Sequence, residues 1–469
     1  MNEKLLSLVK PKIPAPLDDN FRPAVLWNHI FLDSVLNSKK SVSLSIAIKK
    51  EDDSISVYKT NVFSDESNFA SYNNFYVEQL VKTLLWIYGG YKLIICGPKQ
   101  IGGYIKKIYS PKGKRAFDAN LMSNIYEKTF TVEINNTENN SPVKKKSVAI
   151  GGHLEGCRIG FDLGASDRKV SAVIDGKAVF SEEVAWSPGI QADPGYHYHE
   201  IMSMLHRAAA HMPRIDAIGG SSAGIYINNR AMVASIFRTI NPDLFKNKVK
   251  NIFLDIQKEW GVPFKVINDG EVTALAGSMS LKKNVVLGIA LGSSEAGGYI
   301  NKKGNINDWL NELAFIPVDF NAEAPIDEWS GDRGCGAQYF SQVAVARLAE
   351  RAGIILSKKQ TYAEKLKSVQ ELMAKGDDRA RKVFETIGCY LGYGIAYYAG
   401  FYEIGTVLIL GRVTSGEGGK IILQKAVQVL GEEFPELYSS ITLHLPDEAS
   451  RRVGQAIAAA SLPLIEGKG

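Results

Sequence analysis

Cysteine is sparse and scattered in this chain. Its 469 residues hold four, Cys96, Cys157, Cys335 and Cys389, far apart and with no C-x-x-C pair. That excludes a cysteine-built zinc cluster and a disulfide framework, and it suits a reducing compartment. A surplus of charge is also lacking: 55 basic against 50 acidic residues leave a net charge of +5. So even a balance gives no electrostatic footprint for nucleic acid or an anionic membrane, and neither partner is expected. No apolar run approaches the ~18 residues that a membrane-spanning helix needs. The opening stretch, MNEKLLSLVKPKIPAPLDD, is too polar and too broken by proline for a secretory leader. A cytoplasmic location is the expectation.

What the chain does have is a 45% hydrophobic content and 43 glycines. The length allows two or three domains with sizeable cores. The glycines gather where strands end. In Cys157–Lys169, CRIGFDLGASDRK, the alternation of Ile159, Phe161 and Leu163 reads as a strand. It breaks into a loop whose small residues, Gly164 among them, let backbone N–H groups approach an anion. Asp162, the Ser166 hydroxyl and Lys169 together suit a metal-bound phosphate. The same letters also make an ordinary hairpin turn.

Alternation marks strands at Val42–Ile48 and Ile55–Phe63. Helical spacing covers Tyr76–Tyr88, and Lys92–Gly97 reads as a buried strand. The polar, Asn-rich stretch Asn135–Lys146 marks a boundary. Beyond it come a strand at Arg158–Leu163, a hairpin about Asp175-Gly176, a helix at Tyr198–His211 and a strand at Ile215–Gly219. Because the order recurs, residues 1–150 are expected to be an extra α/β domain, conceivably a divergent copy of the unit that follows. Met232–Thr239, Leu244–Trp260 and Glu271–Met279 read as helices, Phe264–Ile267 and Val285–Leu291 as strands. Helices fill 336–400, Thr406–Leu410 is a strand, and Gly419–Leu430 and Val453–Ser461 are helices. Strand-then-helix alternation implies an α/β fold with helices on both sheet faces.

Three glycine-rich strand exits emerge: Asp162–Ser166, Gly292–Gly298 and Gly411–Gly416. A carboxylate, Asp269, stands at a fourth strand end between the first two. Converging loops of this kind are where α/β folds bind ligands. Phosphoryl transfer needs backbone donors, an acid near Mg2+ and a carboxylate to take a proton, and each role has a candidate. Asp269 suits helix capping equally well. No G-x-x-x-x-G-K-[ST] loop is present.

The order DLGAS, VINDGEVTALAG, LGSSEAGGYI, LILGRVTSG resembles the sugar kinase, Hsp70 and actin superfamily, and within it ROK proteins (repressor, open reading frame, kinase), over roughly Arg158–Pro463. The resemblance implies an actin-like ATPase (ribonuclease H-like) duplicated fold, two lobes around a cleft. The expected boundaries are 151–280 for the first lobe and 281–469 for the second. It further implies an ATP-dependent carbohydrate kinase, with ATP and Mg2+ as cofactors, and a possible homodimer. Asp162, Gly164, Ser166 and Lys169 would form the first phosphate loop, with Asp162 near Mg2+. Gly292, Ser293 and Ser294 would form the second, and Gly411 with Arg412 would flank the adenosine. Asp269 would be the general base, and Asn268, Glu312, Gly220 and Gly224 would line the sugar.

The departures lie on the sugar side. Phe315 stands where ROK kinases usually carry a sugar- and zinc-binding histidine. Of the family's zinc cysteines only Cys335 remains, so no zinc site is expected. Ala337 replaces a glutamate, and Ala165 replaces a glycine. A non-catalytic sugar-sensing regulator and a degenerate ATP- or sugar-binding protein stay open as alternatives.

Overall fold

The computed structural model describes residues 3–135, 150–446 and 448–465. Most of the expected boundary stretch, Asn135–Lys146, lies outside them. Three main sheets organise the chain.

The N-terminal sheet holds β1 (Ser41–Lys49), β2 (Ile55–Phe63), β3 (Lys92–Cys96) and β4 (Thr131–Asn135), in the order β2-β1-β3-β4. The Ser71–Tyr88 helix connects β2 to β3. Two helices between β3 and β4, Lys99–Ile108 and Ala116–Tyr126, were not legible in the sequence. The pair Gly102-Gly103 argues locally against the first. Packing reverses that, because a Cβ on Gly102 would lie 2.8 Å from Ile134 of β4.

The five-stranded sheet runs β11-β8-β5-β6-β7. Its members are β5 (Cys157–Leu163), β6 (Asp167–Ile174), β7 (Lys177–Ala185), β8 (Ala217–Ser222) and β11 (Phe264–Asn268), with the small hairpin β9 (Ile225–Ile227) and β10 (Arg230–Val233) beside it. Strands β5, β6 and β7 form an antiparallel meander, while β8 runs parallel to β5 and β11 parallel to β8. The C-terminal sheet holds β12 (Val286–Leu291), β13 (Glu295–Ile300), β14 (Thr406–Leu410) and β15 (Thr442–His444) in the order β13-β12-β14-β15.

Three expectations need correction. The N-terminal sheet does not copy the others in topology: β3 runs antiparallel to β1, whereas β8 runs parallel to β5 and β14 parallel to β12. The expected helix Met232–Thr239 is instead the end of β10 and a 3-10 turn, Ser235–Phe237. The adjacent left-handed residues Asn228 (φ 51°) and Asn229 (φ 61°) make the hairpin, which is a turn signal the sequence carried. The last helix, Glu448–Ala460, expected with the second lobe, lies against β5 and β8.

One hydrophobic cluster runs from the N-terminal sheet through Trp27, Trp86 and Phe315 to the Asp378–Tyr398 helix. The N-terminal region therefore packs chiefly on the C-terminal sheet. The proline-rich arm acts as a strap along that aromatic helix: Tyr393 Oη donates to Ile13 O at 3.3 Å, and Leu17 N donates to Thr386 Oγ1 at 3.2 Å. The five-stranded sheet has its own core around Phe161, Leu205 and Phe253. All four cysteines are buried and unpaired.

The last helix approaches its sheet through glycine. A Cβ on Gly160 would fall 1.9 Å from Ala456 O, and one on Gly219 1.7 Å from Ala459 O. Gly160→Ala must therefore push the helix off β5 and should cost about 1–3 kcal/mol, an overpacking penalty. Urea unfolding checks this: the midpoint should fall with the slope unchanged.

Candidate functional site

Strand β5 ends at the buried carboxyl of Asp162. Ser221 Oγ, from neighbouring β8, donates to its Oδ1 at 2.7 Å, and Gln455 Nε2 stands 3.4 Å away. Lys169 Nζ lies 3.8 Å from Oδ2 and 2.9 Å from Asp167 Oδ1. Burial raises Asp162 to about 6, and the charge of Asp269 adds to the rise against the Ser221 bond. Gly164–Ser166 is the turn of the β5–β6 hairpin. Gly164 N donates to Asp167 O at 2.9 Å, Trp186 Nε1 donates to Gly164 O at 2.8 Å, and Ser166 Oγ donates to Asp167 Oδ2 at 3.1 Å. The hairpin reading and the open loop are thus one structure, with Ala165 and Ser166 exposed at its tip.

The Asn268-Asp269 pair divides two tasks. Asn268 caps the Asp269–Leu281 helix, accepting from Gly270 N at 2.7 Å, and its Nδ2 donates to Gly224 O at 2.9 Å. Asp269 Oδ1 sits 3.0 Å from Gly270 N, and burial raises its pKa. This helix end abuts the C-terminal sheet: a Cβ on Gly270 would fall 2.6 Å from Gly297 O of β13. Glu312 is raised to about 7, by burial first and then by the charge of Asp269. Asp162, Asp269 and Glu312 are therefore electrostatically linked through Asp269. A pocket beside them is lined by Gly224, Tyr226, Asn268, Glu271, Glu312 and, from the N-terminal region, Tyr126.

The other two strand exits, from the paired strands β12 and β14, meet each other. Gly292 N donates to Ser294 O at 3.0 Å, leaving Ser293 and Ser294 exposed. Gly411 is left-handed (φ 97°), and a Cβ there would lie 2.2 Å from Leu291 O, so the second and third loops cross at van der Waals range. Exposed Arg412 helps hold Asp167 below the usual carboxylate range, although the Lys169 bond and charge do more.

Gly220 is a correction. It lies buried within β8, where a Cβ would strike the Phe161 ring at 2.1 Å. Its smallness serves core packing, and its neighbour Ser221 is the residue that reaches Asp162. His197 is a core histidine whose ring nitrogens lie within 3.4 Å of the carbonyls of Asp193, Pro188 and Ile236.

Sequence reasoning missed what surrounds Phe315 and Cys335. Trp86 of the Ser71–Tyr88 helix stacks on Phe315 with ring centroids 4.1 Å apart, and Trp329 closes on the same ring at 5.2 Å. The last carbonyls of that helix have no partner within it. Trp86 O accepts from Glu312 N at 3.0 Å and Ile87 O from Asn311 N at 3.1 Å. Around Cys335, charges from the N-terminal region take over. Lys82 pairs with Asp118 at 3.0 Å and Asp332 at 2.5 Å, and Arg115 pairs with Asp332 at 2.8 Å and Glu78 at 2.7 Å. Burial pushes the Cys335 thiol up to about 12. Among the described residues no group of three or more His, Cys, Asp or Glu side chains is arranged to hold a metal ion, and no helix is long and apolar enough to cross a membrane. The Asn311-Glu312 pair was a signal available in the sequence. Gln455 and Lys82 carried none, being far in the chain from what they touch.

The ROK family model matches residues 158–458. The fold is similar to a ROK family glucokinase from Streptomyces griseus in complex with glucose and AMPPNP, at 19% identity and TM-score 0.50, covering 65% of this chain and 99% of that one. It is also similar to a ROK hexokinase from Thermus thermophilus (17%, TM-score 0.50, 65% and 97%). A third similar structure is a ROK family transcriptional regulator homologous to the E. coli MLC protein (18%, TM-score 0.52, 66% and 79%). No curated protein matches.

Two outcomes follow from this geometry. Lys82→Met takes the close cation from buried Asp118, which keeps the Trp86 Nε1 donor at 2.8 Å and Arg115 at 3.9 Å, and should cost about 3 kcal/mol in guanidinium unfolding, whereas EDTA should leave the Tm in place. Asp162 binds its proton more tightly folded than unfolded, so it lowers stability as pH rises from about 4 to about 6 and no further above. Asp162→Asn escapes that loss. In ligand-free thermal melts the variant should gain on the parent at pH 8, and the gain should fade by pH 4.

Proposed function

Because the chain belongs to the ROK family and has the actin-like ATPase fold, we propose that it transfers the γ-phosphoryl group of ATP to a hydroxyl of a sugar or sugar-like polyol. The observation that carries this reading is Asp269. Asn268 caps the helix, and the half-buried Asp269 carboxyl beside it is in electrostatic contact with Asp162 and Glu312.

In this reading Asn268, Glu312 and Gly224 border the sugar. Asp269 takes the proton of the attacking hydroxyl, and its raised pKa strengthens it as an acceptor. Gly164, Ser166 and Lys169 face the phosphates from one side and Gly292, Ser293 and Ser294 from the other, while Gly411 and Arg412 flank the adenosine. The donor set fits magnesium: the Asp162 carboxylate is buried with a single cation at 3.8 Å, and a divalent ion there would satisfy it. Bound Mg2+ supplies charge neutralisation on the transferring phosphate. Approach of the two lobes would exclude water.

A sugar-sensing regulator is the rival, since one structure of similar fold is a transcriptional regulator. The N-terminal region speaks for the kinase. It is built on a four-stranded sheet and lends Tyr126 to the pocket.

The test is ADP release with Mg2+ and ATP across hexoses, amino sugars, anhydrosugars and polyols. Asp269→Asn should lower turnover on the accepted sugar by about 10²–10⁴-fold while ATP binding persists. ATP binding with no sugar-dependent turnover anywhere in the panel would sink the kinase reading.

A further inference from the structure

Asn311 precedes Glu312 and is left-handed without being glycine (φ 51°), a conformation its Cβ disfavours. Several bonds hold it there. Its Nδ2 donates to Glu271 Oε1 at 3.0 Å, and its Oδ1 accepts from Tyr402 Oη at 2.9 Å. Its backbone N reaches Ile87 O at 3.1 Å, and its O accepts from Leu313 N at 3.0 Å. The residue is 1% exposed.

Glu271 is the informative partner. It lies two residues beyond Asp269, in the same first turn of the helix. Asn311 therefore bonds the helix bearing Asp269 to the loop bearing Glu312, and the Ser71–Tyr88 helix holds the same loop from behind. Burial raises Glu271 to about 8, so near neutral pH the tether is built from uncharged groups. Both ends of the Asn311 side chain are engaged by these bonds, and the residue is buried.

We propose that Asn311 is a positioning residue that fixes the spacing between Asp269 and Glu312 through its bond to Glu271, and so sets how tightly the sugar is held without touching it. This rests on the kinase reading of the site.

Asn311→Gly keeps the left-handed backbone and deletes both side-chain bonds. It should raise the KM for the sugar about 10-fold or more and leave the KM for ATP within about twofold. Amide hydrogen exchange across 311–313 should speed up while β3 stays protected. Glu271→Gln keeps an acceptor for Asn311 and should leave exchange across 311–313 at the parent's rate, whereas Glu271→Ala should speed it up as Asn311→Gly does. The double variant should be no worse than either single one. Unchanged exchange at 311–313, or sugar and ATP constants that shift together, overturns the proposal. If the parent protein phosphorylates no sugar, the kinase reading fails, and the exchange measurement alone decides whether the tether exists.

Discussion

A helix always leaves its last carbonyls without partners inside it, and the loop that carries Glu312 is built on two of them. Trp86 O and Ile87 O receive the amides of Glu312 and Asn311. A neutral backbone bond gains only about 1 kcal/mol net, but leaving such groups buried and unmet would cost more. The loop that carries Glu312 is thus held to the N-terminal region by necessity of hydrogen-bond satisfaction. The indole of Trp86 then stacks on Phe315, so one residue supplies both the polar and the apolar half of the contact.

The same helix brings Lys82 into a buried set of charges with Asp118, Asp332, Arg115 and Glu78. Charges taken from water this way repay their desolvation only when paired and well placed. Their value here is positional. Asp332 lies three residues before Cys335, and two cations from another part of the chain fix it there. A loop that lacks the cysteines for a metal is pinned by ion pairs and by the rings of Trp86, Phe117 and Trp329.

How much of this was legible depended on sequence distance. Asp162, Gly292 and Gly411 could be read because strand alternation ends abruptly in small residues, and that pattern is local. Asn268-Asp269 could be read as a cap or a base, and the structure assigns the cap to Asn268. Gly220 was misread because a glycine beside a loop looks like a loop glycine, whereas its lack of Cβ is spent on the Phe161 ring. The Ala116–Tyr126 helix was lost among polar turns, and with it Tyr126. The direction of β3, and the partnership of Trp86 with Phe315 across more than two hundred residues, arise from packing that no local pattern encodes.

The single hydrophobic cluster shared by the N-terminal sheet and the C-terminal sheet has a consequence for where the chain can be cut. The segment that matches the family, 158–458, shares that cluster with residues that precede it. Cut to family length, the chain would expose the apolar side of the Asp378–Tyr398 helix and leave Asp332 without its cations. Changes to the apolar residues of that N-terminal region are therefore changes to the core of the matched segment as well.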